Sequence, residues 1–213
     1  EAATGLDVEL AIDQLTAAGA RIISASFGFP YSTYMDGAGF LSDELGGFRT
    51  AGGLYVNSAG NYRKVTWWGS FIDGDGDGWL DLTSSSDDEL NDLILDDGRA
   101  YYYPVGREIK VAIRWSQPTA PQTDLNLYLY RYDTGASELI KVAESVDLQN
   151  GLSSQEALEF ISYKTTVEGR YAVAISRESG TADVDIHLYV STGYFDVGLQ
   201  YRSSGLSLAY PAD

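Results

Sequence analysis

The sequence lacks cysteine altogether and holds one histidine, His187, in 213 residues. Without cysteine there are no disulfides and no thiolate metal sites. Basic residues are scarce: 14 Lys and Arg stand against 31 Asp and Glu, for a net charge of −17. Such a surface repels nucleic acid and anionic membranes, so neither is expected as a partner. It suits calcium, or solubility outside a cell. No apolar run approaches the roughly 20 residues that span a bilayer. There is no signal-peptide pattern either. The chain opens inside a helix-like segment, which predicts an excised fragment.

The first third reads as an α/β pattern. Residues 6–18 place Leu6, Leu10, Ile12 and Leu15 near one face at helical spacing, and Gly19 is a C-cap candidate. Arg21 to Ser26 form a strand whose Ile22, Ile23 and Ala25 predict burial on both faces, as in a parallel sheet. A second helix over Leu41 to Ala51, acidic at its start and ended by Gly52-Gly53, leads into a strand over Leu54 to Val56.

After Asn61 the texture changes. Trp67-Trp68, an Asp/Gly run and an acidic stretch from Ser84 to Asp97 mark a boundary. Beyond Arg99, short alternating runs recur between turn signals: 109–115, 125–130, 139–143, 171–175 and 184–189. Period-2 patterning at that spacing predicts an antiparallel β-sandwich. Asp124-Leu-Asn-Leu-Tyr-Leu-Tyr130 and Asp183-Val-Asp-Ile-His-Leu-Tyr189 echo each other. Their pattern resembles the β-sandwich modules of the pre-peptidase C-terminal type attached to secreted bacterial proteases.

Two strand ends carry a second resemblance. Ile22-Ile-Ser-Ala-Ser-Phe-Gly28 and Leu54-Tyr-Val-Asn-Ser-Ala-Gly-Asn61 both stop on small, turn-forming residues. Parallel pairing would bring the two ends to one carboxyl edge, where open α/β sheets bind ligands. The pair resembles the subtilisin-like serine proteases (subtilases, peptidase family S8). That resemblance implies Asn61 as the oxyanion-hole amide, with Ser26, Gly28, Ser58 and Gly60 bordering the substrate pocket. Phe27 and Phe29 replace the family's more usual leucine and glycine. As isolated residues, Gly60-Asn61 also read as an ordinary turn. The closing segment Gly205-Leu-Ser-Leu-Ala-Tyr-Pro-Ala-Asp213 resembles the stretch that resumes the same family's core.

The catalytic triad is missing. His187 follows Asn61 and lies in an alternating strand, so its order is wrong and it reads as a sandwich residue. Ser207 matches a Gly-x-Ser-x-Ala-x-Pro spacing, but Leu206 replaces the expected threonine and no long helix follows. It reads as a decoy, and base and orienting acid are absent. Asp133-Thr-Gly135 suggests an aspartic protease, but its polar, aromatic lead-in predicts a hairpin turn.

The strongest metal signal is Asp73-Gly-Asp-Gly-Asp-Gly-Trp-Leu-Asp81. Asp73, Asp75, Asp77, the Trp79 carbonyl and Asp81 occupy alternate positions of a calcium loop, with Gly78 at the sharp turn. Ser84 stands where an EF-hand places its bidentate glutamate, so a free-standing structural calcium site is expected. Trp67-Trp68 and Tyr101-Tyr-Tyr103 read either as a ligand platform or as half-buried strand positions.

Together these readings predict an α+β fold. Residues 1–61 form a partial subtilase-like α/β segment (β-α-β plus a returning strand), 62–203 an inserted antiparallel β-sandwich with a calcium-type loop, and 204–213 the return. The functional expectation is a fragment of a secreted subtilisin-like serine endopeptidase, lacking the catalytic Asp, His and Ser. Its parent would act on protein or peptide substrates. The alternative is a non-catalytic, calcium-stabilised β-sandwich that binds sugar or protein.

Overall fold

The computed structural model describes residues 5–28, 40–58, 62–83, 88–133, 135 and 137–203. The chain divides into two compact units, with the break just before Tyr62.

The first unit contains α1 (Gly5–Ala17), β1 (Ile22–Ala25), α2 (Phe40–Thr50) and β2 (Leu54–Asn57). Each helix ends on a glycine in the left-handed region, Gly19 at φ 86° and Gly52 at φ 85°. The Ala20 N–H reaches the Leu15 carbonyl and the Gly53 N–H reaches that of Phe48, both at about helix-closing length, 2.9 and 3.0 Å. These 6→1 bonds satisfy carbonyls that a helix end leaves without partners. β1 and β2 pair in parallel, Ile22 opposite Leu54. Ile23 and Tyr55 join Val8, Ile12, Leu41, Leu45 and Phe48 in a small core, so both helices cover one face of this sheet.

The opposite face is bare. Ile22 is 67 % exposed, Leu54 54 % and Val56 46 %. The buried stripe of α1 also differs from the expected one. Val8 and Ile12, one turn apart, face inward, whereas Leu6, Leu10 and Leu15 are exposed.

The second unit is a β-sandwich. Its strands are β3 (Thr66–Ser70), β4 (Asn91–Leu95), β5 (Glu108–Trp115), β6 (Asp124–Asp133), β7 (Glu138–Ser145), β8 (Leu158–Lys164), β9 (Tyr171–Ser179), β10 (Asp185–Ser191) and β11 (Val197–Leu199). They form a four-stranded sheet, β3-β10-β5-β8, and a five-stranded sheet, β11-β4-β9-β6-β7. Every pairing in both is antiparallel. Alternate residues point between the sheets: Ile109, Val111, Ile113 and Trp115 from β5, Ile186, Leu188 and Val190 from β10, Leu125, Leu127 and Leu129 from β6, and Tyr171, Val173 and Ile175 from β9. This alternation gives a sandwich its single apolar layer.

The expected α+β class, with a subtilase-like α/β segment as its frame, is therefore corrected. Strands account for 42 % of the chain and helices for 12 %, and the architecture is that of an antiparallel β-sandwich. A parallel sheet of that family's kind needs both faces covered. Here, among the described residues, the parallel part is a two-stranded sheet of four-residue strands, covered on one face only. Residues 204–213, expected to return to an α/β segment, lie outside the described residues.

Candidate functional site

The acidic loop runs between β3 and β4 and is tied down at its far end by β9. Trp79 bridges to Ser176, the Leu80 N–H donates to the Ile175 carbonyl at 2.9 Å, and the Arg177 N–H donates to the Gly78 carbonyl at 2.8 Å. The buried Leu80 side chain and the Trp79 ring, 5.2 Å from that of Tyr128, anchor this end.

Within the loop, backbone N–H groups turn toward the carboxylates. Asp73 accepts from Gly76 (2.7 Å), Asp77 (3.1 Å) and Gly78 (3.1 Å). Asp75 accepts from Asp77 at 3.2 Å, Asp77 from Trp79 at 2.9 Å, and Asp81 from Gly74 at 2.6 Å. Gly76 (φ 82°) and Gly78 (φ 93°) take the left-handed turns that this wrapping demands. Oxygen atoms of Asp73, Asp75 and Asp77 all come within 4.8 Å of one another. Three of the five sequence-predicted ligands thus converge. Asp81 closes the loop through Gly74.

Crowding of negative charge acts on two carboxyls here, Asp75 and Glu89. The Asp77 N–H holds Asp75 down, but desolvation and the charges of Asp77, Asp81 and Asp73 outweigh it and raise the Asp75 pKa. Glu89, not anticipated from the sequence, joins the cluster from beyond the loop. Desolvation first, then the charge of Asp77, its hydrogen bond and the charges of Asp75 and Asp81, push its carboxyl up to about 7. Hard oxygen donors around a common point are the donor set that calcium takes.

The strand ends of the first unit come together as parallel pairing requires. The Ser58 N–H donates to the Ala25 carbonyl at 3.1 Å. Asn57 Nδ2 spans the gap, donating to the Phe27 carbonyl at 3.0 Å and the Ser58 carbonyl at 3.1 Å. Ser26, Gly28 and Ser58 therefore share one edge, while Gly60 and Asn61 lie outside the described residues. Asn57 is the tie that the sequence reading missed, although an asparagine closing a strand was its visible signal.

The single histidine lies on β10 of the sandwich and is buried, and burial lowers its pKa to about 4. Asp133 ends β6, where its side chain accepts the Gly135 N–H at 2.9 Å in the turn leading to β7. That is an Asx-turn. Ser207 lies outside the described residues. Of the aromatics left open above, Trp67 and Tyr103 are core, Trp68 packs on His187, and Tyr102 is half exposed.

No family model matches the sequence, and no curated protein matches it. Among solved structures, the Clostridium perfringens CspB protease superposes with a TM-score of 0.60 at 13 % identity, covering 100 % of this chain and 44 % of that one. The chain thus spans less than half the length of that protease. The pre-peptidase C-terminal domain of a Bacillus anthracis collagenase gives 0.32 at 13 % identity, over 60 % of this chain and 89 % of that one. The K3 cleaved adhesin domain of Lys-gingipain from Porphyromonas gingivalis gives 0.30 at 16 % identity, over 64 % and 91 %. The neighbours are protease-related structures and β-sandwich modules. At these identities the likeness is one of fold alone, and only the first score is high enough to bear on it.

Proposed function

We propose that this chain is a non-catalytic, calcium-stabilised β-sandwich binding module of a secreted protease. The sandwich itself carries this reading: it contains the larger core, while the only imidazole is buried between its strands. A serine nucleophile needs a base within hydrogen-bond reach, and a buried ring with a depressed pKa on a sheet strand does not supply one. Calcium is the ion proposed for Asp73, Asp75, Asp77 and Asp81, with the Trp79 carbonyl completing the set. Bound there, it would neutralise the loop and fix its conformation. The net charge of −17 disfavours nucleic acid and anionic membranes as partners.

A second reading is favoured by one observation, the CspB superposition that runs over the whole chain. On it, the chain belongs to a secreted subtilisin-like serine endopeptidase whose catalytic Asp, His and Ser lie in other parts of the protein. Asn61, Ser26, Gly28, Ser58 and Gly60 would then border the cleft for a peptide substrate. Both readings predict that this chain alone leaves casein and peptides uncut. Turnover abolished by Ser207→Ala or by a fluorophosphonate would overturn both. Turnover abolished by Asp133→Asn would instead restore the aspartic-protease alternative.

A further inference from the structure

One end of the sandwich gathers three connections. The segment 101–107 is stitched to 165–169, with the Gly106 N–H donating to the Thr165 carbonyl and the Tyr103 N–H to that of Gly169, both at 2.8 Å. The β10–β11 turn joins them through Tyr194, whose ring lies 5.2 Å from Tyr101 and 6.1 Å from Tyr103. Between the start of β5 and this turn is a cavity of about 240 Å³, lined by Arg107, Glu108, Lys110, Ser191, Thr192 and Tyr194.

Its charge runs against that of the protein. Arg107 holds its guanidinium over the Tyr194 ring, 5.4 Å from the centroid, and makes no ion pair among the described residues. Lys110 pairs with Glu108 at 3.2 Å. Lys164 acts on the same carboxylate, which also accepts the Ser162 hydroxyl at 3.1 Å. Lys110 and Lys164 thus share one satisfied acid, and Arg107 stands beside them, in a chain with 31 Asp and Glu. The other acid nearby, Asp196, acts on Tyr101. Behind the wall, the hydroxyl of the wholly buried Tyr103 faces Thr192.

The residues flanking this cavity in sequence are apolar and wet. Phe195 is 98 % exposed, Val105 61 % and Tyr102 50 %. A fully exposed phenylalanine at a turn tip leaves its whole apolar area in water, and aromatic residues with arginine are the combination that protein interfaces favour.

We propose that this end of the sandwich binds a peptide segment through a carboxylate seated on Arg107, with a neighbouring apolar side chain against Phe195 and Val105. The proposal rests on the binding-module reading and names its site and ligand class. A guanidinium without an acid partner takes a carboxylate as a bidentate pair, more strongly than any neutral acceptor. The two lysines add attraction that the acidic remainder of the surface cannot give. The cavity is smaller than the roughly 300–1,000 Å³ of small-molecule sites, so it takes one acidic side chain or chain end rather than a run of sugar rings.

The test is an NMR titration of the intact chain with acetyl-Leu-Asp-Phe-amide, whose one carboxylate is the probed group. Saturable shifts should concentrate at residues 105–108 and 192–196. The Asn-containing peptide, or the Arg107→Ala chain, should bind about tenfold more weakly or worse, the scale of losing one charged pair. Arg107→Lys should fall between, and Phe195→Ser should weaken both peptides alike. Arg107 is exposed, so its variants are expected to keep the parent's amide spectrum outside the site. Equal binding of the Asp and Asn peptides, indifference to Arg107→Ala, or preference for oligogalacturonate would overturn the proposal. Peptide shifts at another surface would sink this site and leave the module reading standing. Hydrolysis of the peptide during the titration would sink both.

Discussion

The imidazole of His187 lies against the indole of Trp68, with ring centroids 5.4 Å apart, on directly paired residues of β10 and β3. On its other side His187 pairs with Arg114 of β5, which is also buried. Protonation would place a second cation beside a guanidinium inside the protein. Only the neutral ring suits this position.

Acid should therefore unfold the sandwich in a defined window. Burial holds the folded pKa of His187 at about 4, below its ordinary value of 6.5. The unfolded chain binds this proton first, so stability falls as the pH drops from 6.5 toward 4 and no further from this cause. Between pH 7.5 and 4.5 the residue should account for about 2–3 kcal/mol of lost stability. Urea denaturation of the parent and of His187→Gln at both pH values reads the difference. An identical pH slope in the two would refute the assignment.

Calcium should reverse the sign of one substitution. In its absence Asp75→Asn relieves repulsion in the loop and should slightly raise stability. With calcium present the same change removes a ligand and should lower it, because an ion at a hundred times its Kd stabilises the fold by about 2.7 kcal/mol. Thermal melts with calcium and with EGTA should show opposite shifts. Equal shifts in the two buffers would rule out a site there.

Glu159 supports the β7–β8 connection. It stands opposite Ile113 at the edge of the core and is wholly buried. It accepts the Gln149 side-chain amide at 2.7 Å, the Asp147 N–H at 3.1 Å and the Ser145 hydroxyl. Glu159→Ala strands these donors and should cost about 2–4 kcal/mol at neutral pH in urea denaturation. Glu159→Gln should cost less. Burial raises this carboxyl's pKa, so here the folded state binds the proton more readily, and acidification through the raised pKa favours folding at this residue, opposite to His187.

Gly198 of β11 passes against the Lys64 carbonyl, to which the next residue, Leu199, donates at 2.8 Å. A methyl group at Gly198 would overlap that carbonyl, and the overlapping atoms belong to the backbone. Gly198→Ala should cost about 1–3 kcal/mol, with a lower urea midpoint at unchanged slope.

The strands that were legible are those with unbroken alternation. β5, β6, β7 and β9 each contain one of the runs seen in the sequence, and β10 contains all but the first residue of its run. β8 was hidden because Glu159 occupies a core-facing place, so its pattern breaks at a position that only the loop's donors make tolerable. β4 lies within the acidic stretch that reads as a boundary, and β11 is three residues long. In the stripe of α1, Ile12 is buried as expected, but Val8 takes the inward place given to Leu6, Leu10 and Leu15, because packing follows what α2 and β1 offer. In the acidic loop, Asp73, Asp75 and Asp77 were plain from spacing. Glu89 was not, since only folding brings it back to them.

The division of the chain into two units has a spectroscopic consequence. All four tryptophans, at positions 67, 68, 79 and 115, fall after the break, and Trp115 is wholly buried. All four indoles belong to the sandwich unit, so their emission reports its unfolding. The helical unit, with Tyr55 as a described chromophore, contains none of them. Its unfolding shows in far-ultraviolet ellipticity, and a gap between the two curves would measure how independently the units hold together.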